Sequence, residues 1–347
     1  MRYLVLIGVL VAGAGAYSAY WFQVAGAIEP GIAAWADERR AEGFEVAYGG
    51  VSVSGFPFRL VVTVHQPSIG RPHPTRAWRW RAPALAAVAQ PWNFRHLILS
   101  LDGRHRLAYL SQGVWRELSA RAEVPMVSVV LGRDGQLERF AIDLQGLEAS
   151  ASGWSERLKA KRVQLHGRQI ADGAEAAPPG PRELSLRAEE VTLPPEVRTA
   201  LGPRITAFKL RVTLLGSLPE APLAEALAAW RDDGGTVEVR ELVIDWGPLA
   251  LEASGTLALD AEMRPMGAAI ARLKRFGKLI DTLHAGGWIG AGEAVATKVA
   301  LALMAREEAE GKVARVPVTA QQGRLYLGPL PLLRLAPILP APLKKSP

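Results

Sequence analysis

The chain has 347 residues, of which 49% are hydrophobic and 22% are charged, so it can bury a large core and is not a disordered polypeptide. It contains no cysteine, which excludes disulfides, thiolate metal sites and a cysteine nucleophile. The formal net charge of +7 is compatible with nucleic acid or with an anionic membrane surface, and it does not choose between them.

The first element is an apolar segment at residues 3–28, which carries no formal charge. A transmembrane helix needs about 20 such residues. Arg2 precedes the segment and Glu29 follows it, so the positive-inside rule predicts a cytoplasmic N-terminus and export of the remaining chain. We therefore expect a single-pass inner-membrane anchor with the C-terminal bulk in the periplasm. Aromatic residues that favour the headgroup region mark its far end: Tyr17, Tyr20, Trp21 and Phe22.

A cleaved signal peptide is the alternative interpretation of this segment, and it would leave a periplasmic protein. The small residues "AGA" at 14–16 and at 25–27 are suitable for a signal peptidase. The uncleaved anchor is favoured because the apolar run is longer than the roughly 7–15 residues of a signal-peptide core.

Beyond the anchor, a short helix is expected from about Gly31 to Glu42, where Gly43 ends it. From Phe44 onward apolar and polar residues alternate in more than a dozen runs joined by short turns, which is typical of antiparallel strands. The predicted fold is mainly β (β-rich α+β): a long, strongly curved antiparallel sheet with a few short helices after the transmembrane helix. Linker composition at 171–181 divides it into β-rich halves over 29–171 and 182–347, or these form one continuous domain.

The stretch at 51–62, "VSVSGFPFRLVV", contains Gly55 and Pro57 inside an alternating pattern. Its apolar positions change from odd to even numbers across these two residues. One inserted residue in a strand produces such a change, so we predict a β-bulge at which the strand bends and the sheet curls. A curled sheet can enclose an apolar groove.

The segment "RAWRWRA" places two tryptophans on one face of a strand and arginines on the other. Single-stranded nucleic acid needs aromatic and basic side chains on the same surface, so no nucleic-acid partner is expected. The tryptophans either pack in the core or line an apolar concave face. The predicted lining of that face is Phe56, Phe58, Trp78 and Trp80.

Three later segments have helical patterns. Residues 217–230 begin with the capping-box spacing of Ser217 and Glu220. Residues 265–283 form an amphipathic basic pattern that suits either an anionic lipid surface or a helix packed on the sheet. Residues 291–310 form the third segment with a helical pattern.

The apolar C-terminal segment contains too many prolines to span a membrane and is expected to pack along the sheet in extended form.

No residue pattern predicts catalysis. The six histidines lack metal-site spacing, and neither a nucleotide motif nor a cofactor motif occurs. Ser52 and Ser54 lie in a glycine-bounded run that departs from the G-x-S-x-G elbow and sits on a strand. We predict no catalytic residue, no metal and no cofactor, and hence no enzyme. A periplasmic hydrolase, which would require distant Ser, His and Asp residues to converge, is the less favoured alternative.

The order of these segments, together with "VSVSGFPFRL", "LVIDWGPLALEASGTLALD" and "GRLYLGPLPLLRLAP", resembles the bacterial domain-of-unknown-function family 2125 over roughly residues 1–337. The segment at 246–260 also resembles repeats of AsmA-type envelope proteins, which are similar to lipid-transfer grooves built from long curled sheets. The family implies no activity and no catalytic residue. The expected function is binding of a lipid or other amphiphile, or assistance in envelope assembly. A structural envelope protein that binds protein partners without a ligand is the alternative.

Overall fold

The computed structural model describes residues 2–169, 182–219, 221–308, 311–328 and 330–338. Strands account for 51% of the structure, and the sheet pairings are antiparallel and do not close on themselves. The predicted mainly β fold with a few helices is therefore confirmed. Contacts divide the chain into unit 1, Met1–Gly135 with Phe140–Arg157, and unit 2, Gln136–Arg139 with Leu158–Pro347. This division lies between residues 157 and 158, whereas the predicted linker at 171–181 lies outside the described residues.

The N-terminal helix, α1, runs without interruption over Arg2–Ala41. The apolar segment and the expected short helix from Gly31 are therefore one element, although Pro30 lies between them. Gly43 ends the helix as predicted: it adopts a φ of 87°, and its amide donates a hydrogen bond to the carbonyl of Arg40 at 3.0 Å. The helix is long and apolar enough to cross a membrane, and its most apolar window is almost entirely exposed.

Unit 1 is a meander of long chain segments, most of which are interrupted once. Its strands are β1 (Glu45–Ala47), β2 (Gly50–Ser54), β3 (Leu60–His65), β4 (Ser68–Arg71), β5 (Trp78–Arg81), β6 (Ala84–Gln90), β7 (Asn93–Ser100), β8 (His105–Ser111), β9 (Val114–Arg121), β10 (Val124–Leu131) and β11 (Leu137–Ala151), whose first three residues belong to unit 2. One series pairs β2, β3, β6, β7 and β10 in that order. The other pairs β1, β4, β5, β8, β9 and β11.

A line of backbone bends separates the two series. Each long segment bends where it passes from one series to the other, as between β3 and β4 or between β5 and β6. Hydrogen bonds link neighbouring bends: the amide of Gln66 donates to the carbonyl of Pro83, and that of Ala82 donates to Pro67. The prolines cannot donate to a ladder, and Gln66 has a left-handed φ of 47°. The two strand series of unit 1 therefore meet along a hydrogen-bonded line of bends.

Residues 51–62 form a hairpin and not one bent strand, so the predicted bulge is wrong. Strands β2 and β3 are antiparallel, with Ser54 opposite Val61, and residues 55–59 make the turn. Gly55 has a φ of 101°, and a Cβ atom there would lie 2.8 Å from the carbonyl oxygen of Arg59. The apolar positions change from odd to even numbers because the chain reverses direction. The alternation of apolar and polar residues looks the same for a reversal of the chain as for one inserted residue.

Unit 2 is a second antiparallel meander. Its strands are β12 (Leu158–Arg168), β13 (Glu183–Thr192), β14 (Arg204–Leu215), β15 (Thr236–Trp246), β16 (Leu249–Leu259), β17 (Pro265–Lys274), β18 (Ala305–Glu308), β19 (Gly311–Gln321), β20 (Arg324–Leu327) and β21 (Leu330–Arg334). Strands β12 to β17 pair in chain order, β17 pairs with β19, and β20 and β21 follow. Strand β18 pairs with the first residues of β19. Strands β20 and β21 confirm the extended C-terminal segment as far as Arg334.

The helices of unit 2 differ from their predicted bounds. They are α2 (Leu223–Asp232), α3 (Phe276–Ala285) and α4 (Ala291–Met304), besides a 3-10 turn at Pro195–Val197. Helix α2 begins later than Ser217 and has no side-chain cap, while Glu220 lies outside the described residues. Helix α4 ends earlier than predicted, because β18 follows it directly.

The predicted helix at 265–283 is half wrong. Residues up to Lys274 form β17, and only the remainder forms α3. Arg275 separates the two elements with a left-handed φ of 55°. Pairing of β17 with a strand on each side overrides the helical spacing of its apolar residues. A basic amphipathic helix on anionic lipid is therefore excluded for this segment.

The main buried cluster of the described residues lies in unit 2. Helices α3 and α4 cover the ends of β16, β17 and β19, where Leu273, Ala314 and Val316 are buried beneath Ile280 and Leu301. The hydrophobic effect at this contact fixes the two helices on the sheet.

Candidate functional site

The turn at residues 55–59, called tip 1, is docked against α1. The indole NH of Trp21 donates a hydrogen bond to the carbonyl of Arg59 at 3.1 Å. The Trp21 ring also meets Phe56 edge-on, with centroids 5.4 Å apart, and Phe22 stacks on the same ring at 5.3 Å. Trp21 is only 3% exposed. A large side chain of the apolar helix is thus buried in unit 1.

Residues 91–95, which comprise the turn at 91–92 and the start of β7, are called tip 2 and meet the same part of α1. Tyr20 donates a hydrogen bond through its hydroxyl to the carbonyl of Pro91 at 2.9 Å, and Tyr17 donates one to the carbonyl of Pro57 in tip 1. The tips are neighbours because β3 pairs with β6, with Leu60 opposite Ala89. Two hairpin turns therefore share one helix segment, at 17–22.

Phe56 and Phe58 do not lie on a sheet face, contrary to the predicted concave lining. Both belong to tip 1, where Phe56 contacts α1 and Phe58 is 70% exposed. The assignment of Gly55 and Pro57 to a turn explains this position, because the alternation of a strand does not continue through them.

The first strand series of unit 1 has one apolar face. In antiparallel sheets, residues directly opposite each other project to the same side. The cross-strand registers place the following side chains together: Val53, Val62, Ala87, Leu99 and Val127, flanked by Val51, Val64, Leu85, Leu60, Leu97 and Val129. Except for buried Leu60, all of them are half-buried. This face keeps apolar surface accessible.

Trp78 and Trp80 lie on β5 and share a face, in agreement with the alternation in the sequence. Trp80 lies opposite Ile69 and Leu107, and its ring is 5.6 Å from that of His105. Trp78 meets Phe44 edge-on at 6.3 Å. Both tryptophans are half-buried, so part of each ring is available to contact either other side chains or a bound molecule.

A cleft of about 470 Å³ adjoins Trp78. Its other lining includes Trp115, Arg71 and Arg79. Arg79 forms an ion pair with Glu45 at 2.6 Å, and the Arg71 guanidinium lies 5.1 Å from the ring centre of Phe44. The cleft therefore combines aromatic surface with cations that are already paired within the protein.

Unit 2 carries a longer apolar face across seven strands. One row of directly opposed residues contains Leu165, Leu186, Leu210, Leu242, Ala253, Ala271 and Val316, and the next contains Val163, Ala188, Phe208, Ile244, Leu251, Leu273 and Ala314. The members on β17 and β19 are buried under α3 and α4, whereas those on β12 to β15 are half-buried. One end of the apolar face is covered by helices and the other remains accessible.

The opposite face of unit 2 is polar and carries paired charges. Glu252, Arg272 and Arg315 are aligned across β16, β17 and β19. Glu252 accepts hydrogen bonds from Lys274 at 2.7 Å and from Arg272 at 2.6 Å. The hydrogen bond from Lys274 is the main cause of the lowered pKa of Glu252, and one from Arg272 likewise lowers the pKa of Glu308. The charged side chains on this part of the face are paired with one another, and the polar face suits contact with water.

Two serine–histidine pairs lie on the first strand series. Ser52 Oγ is 3.2 Å from His65 Nε2, and His96 Nε2 is 3.1 Å from Ser128 Oγ. Within the described residues no carboxylate hydrogen-bonds either ring, so neither pair has the third member of a catalytic triad. No group of three or more metal-ligating side chains occurs among those residues either.

These features define a class: a mainly β protein with apolar sheet faces, docked through hairpin turns on a long apolar N-terminal helix. The model of the family described as "Uncharacterized protein conserved in bacteria (DUF2125)" matches residues 21–336, so the chain belongs to this family. The match includes Trp21 and both tips. No curated protein and no solved structure matches the chain.

Sequence reasoning missed the docking of the tips on α1. A local signal was present: the tips carry the same pattern, an aromatic residue, any residue, phenylalanine and arginine, at 56–59 and at 92–95. The repetition of this pattern at the ends of two hairpins points to a shared environment.

Proposed function

We propose that this protein is anchored in the bacterial inner membrane by α1, with its β-rich units in the periplasm, where its apolar sheet faces bind a lipid or another amphiphile during envelope assembly. In this proposal it acts by binding and not as an enzyme. The observation that carries the proposal is the pair of half-buried apolar faces, one on β2, β3, β6, β7 and β10 and one on β12 to β15.

Retention of α1 is supported by its contacts with the sheet. Cleavage after the small residues at 25–27 would remove Trp21, whose ring is buried against tip 1. Cleavage after 14–16 would leave Trp21 on a much shorter helix. The exposed apolar surface at residues 2–16 has no protein partner among the described residues, and a bilayer would cover it.

Acyl-chain binding is supported by the composition of the two faces. Their side chains are valine, leucine, isoleucine, alanine and phenylalanine, and burying one of the larger ones completely is worth about 1.5–3 kcal/mol relative to full exposure. Because these residues are half-buried, part of that stabilisation is unused in the protein alone. An acyl chain lying along a row would bury the remainder. The resemblance of residues 246–260 to AsmA-type repeats agrees with such a role.

Native mass spectrometry of the full chain after gentle detergent extraction tests the proposal. We expect reproducible co-purification of a lipid or amphiphile with the folded protein. Reproducible absence of any bound molecule would contradict the proposal and favour the alternative of a structural envelope protein that binds protein partners.

Neighbouring residues on opposite faces of β14 offer a matched pair of variants. Leu210 lies in an apolar row, whereas Lys209 projects from the polar face. We expect Leu210→Gln to reduce bound lipid and Lys209→Gln to retain it, with circular dichroism as the check that both are folded.

In unit 1, Trp78→Ala combined with Trp80→Ala tests whether these tryptophans contact the ligand. Retention of lipid by that folded double variant would assign them to packing.

A further inference from the structure

The aromatic residues of tips 1 and 2 remain exposed, although Phe56 also contacts α1. The side chains concerned are Phe56, Phe58, Trp92 and Phe94, which are 46%, 70%, 60% and 45% exposed. Turns at the ends of hairpins normally carry small and polar residues. Three large rings on two adjacent turns, with a fourth on Phe94 at the start of β7, therefore indicate a contact with something apolar outside the protein.

The position of the tips along α1 identifies the contacting surface. An α-helix rises about 1.5 Å per residue, so the first 20 residues of the apolar segment, Tyr3 to Phe22, are about 30 Å long, the thickness of the hydrocarbon core of a bilayer. The tips contact α1 at 17–22, the end of this 30 Å length, where the aromatic residues that favour the headgroup region lie. If α1 spans the membrane, both tips lie at the depth of the lipid headgroups.

The chemistry of the tips suits that depth. Aromatic rings are enriched at the membrane–water interface, and arginine can extend its charged group from apolar surroundings to lipid phosphates. Each tip follows its aromatic residues with an exposed arginine, Arg59 or Arg95, and residues 55–59 and 91–95 contain no acidic residue. The helix adds an exposed ring, Phe22, beside tip 1.

We infer that tips 1 and 2, together with the helix segment at 17–22, form a membrane-interface platform that inserts its aromatic side chains among the lipid headgroups and holds the first strand series of unit 1 against the bilayer. The inference rests on the anchor of the proposed function and does not require that the sheet binds lipid. It specifies the outer surface of the bilayer that contains α1 as the partner.

Site-specific fluorescence tests the platform, and the absence of native cysteine allows one probe per variant. The full chain is reconstituted into vesicles of phosphatidylethanolamine and phosphatidylglycerol with an environment-sensitive dye at Phe58→Cys or Trp92→Cys. We expect emission shifted to shorter wavelength and strong quenching by a nitroxide placed near the headgroup, with weaker quenching by one at the chain end.

Two control positions separate the outcomes. Val114→Cys labels an exposed residue of the second strand series, across the line of bends from the tips, and should show neither shift nor quenching. Leu10→Cys labels the middle of the apolar stretch and should be quenched most by the chain-end nitroxide. If Leu10 is lipid-embedded while both tips behave like Val114, the platform is refuted and the anchor stands. If Leu10 is also unquenched, the anchor itself is refuted.

Discussion

Unit 1 and unit 2 are both antiparallel meanders, but different elements cover their apolar surface. In unit 2, α3 and α4 lie on the sheet and bury Leu273, Ala314 and Val316. In unit 1, the helix that packs on the sheet is α1, which meets the edge strands and the tips and buries Trp21. Unit 1 thus depends on an element that is itself apolar enough to leave the aqueous phase.

This difference shows how the same alternating pattern can serve stability or binding. A row of apolar residues that ends beneath α3 and α4 is a core. The continuation of that row on β12 to β15 stays half-buried, as does the apolar face of β2, β3, β6, β7 and β10. The sheet pattern is uniform, and what decides its role is the element that covers it.

The largest effect is expected where α1 joins unit 1. Trp21→Ala removes a buried ring, its contact with Phe56 and its hydrogen bond to Arg59, and should lower the unfolding free energy of unit 1 by about 3–5 kcal/mol. Hydrogen exchange read on peptides of each unit measures this loss. Phe22→Ala, at a 60% exposed neighbour, is the control and should cost much less. Equal effects of the two variants would refute the proposed role of Trp21.

A second comparison uses the same substitution in both units. Leu273→Ala leaves a cavity beneath α3 and α4 and should destabilise unit 2 by about 2–5 kcal/mol. Leu99→Ala, on the half-buried face of unit 1, should cost less than about 1.5 kcal/mol in the absence of lipid, because less surface returns to water. Urea-dependent hydrogen exchange measures both losses. Similar losses would mean that the face of unit 1 is covered as completely as the core of unit 2.

Added lipid should sharpen that comparison. If an acyl chain covers the face of unit 1, a ligand that binds only the folded state raises stability there by mass action. We expect added phospholipid to slow hydrogen exchange in β6 and β7 of the parent chain more than in the Leu99→Ala variant. Equal slowing in the parent chain and in the Leu99→Ala variant would contradict this expectation.

The smallest expected effect is on the pH dependence of unit 2. The pKa of Glu252 is below its ordinary value near 4.5, chiefly because of Lys274, so the folded state binds fewer protons than the unfolded state. Its contribution is present above pH 4.5 and is lost as the pH falls through the lowered pKa. We expect Glu252→Gln to weaken the loss of unfolding free energy of unit 2 in acid by a measurable amount, up to about 1 kcal/mol, because these charges are partly exposed. An unchanged acid profile would contradict this linkage.

Much of the fold could be predicted from the sequence, because a sheet with one apolar face imposes an alternation that local reading detects. The alternation at 78–81 was predicted correctly for this reason, and the end of α1 was predicted correctly because glycine readily adopts the left-handed conformation that ends a helix. The helix at 265–283 was not, because the apolar spacing of an alanine-rich strand also fits a helix, and pairing with β16 and β19 decides between them. The docking of Trp21 on Phe56 joins residues 35 positions apart. The repeated pattern at 56–59 and 92–95 marks the two tips, but it does not identify α1 as their partner.

Photocrosslinking with a phospholipid that carries a reactive group on its acyl chain tests the central claim most directly. The full chain is labelled in native membranes, and the modified peptides are identified by mass spectrometry. We predict modification along the apolar rows of β3, β6 and β7 and of β12 to β15, besides the apolar stretch of α1. Modification confined to α1 and the two tips, with unmodified sheet strands, would contradict the claim that the apolar faces hold lipid.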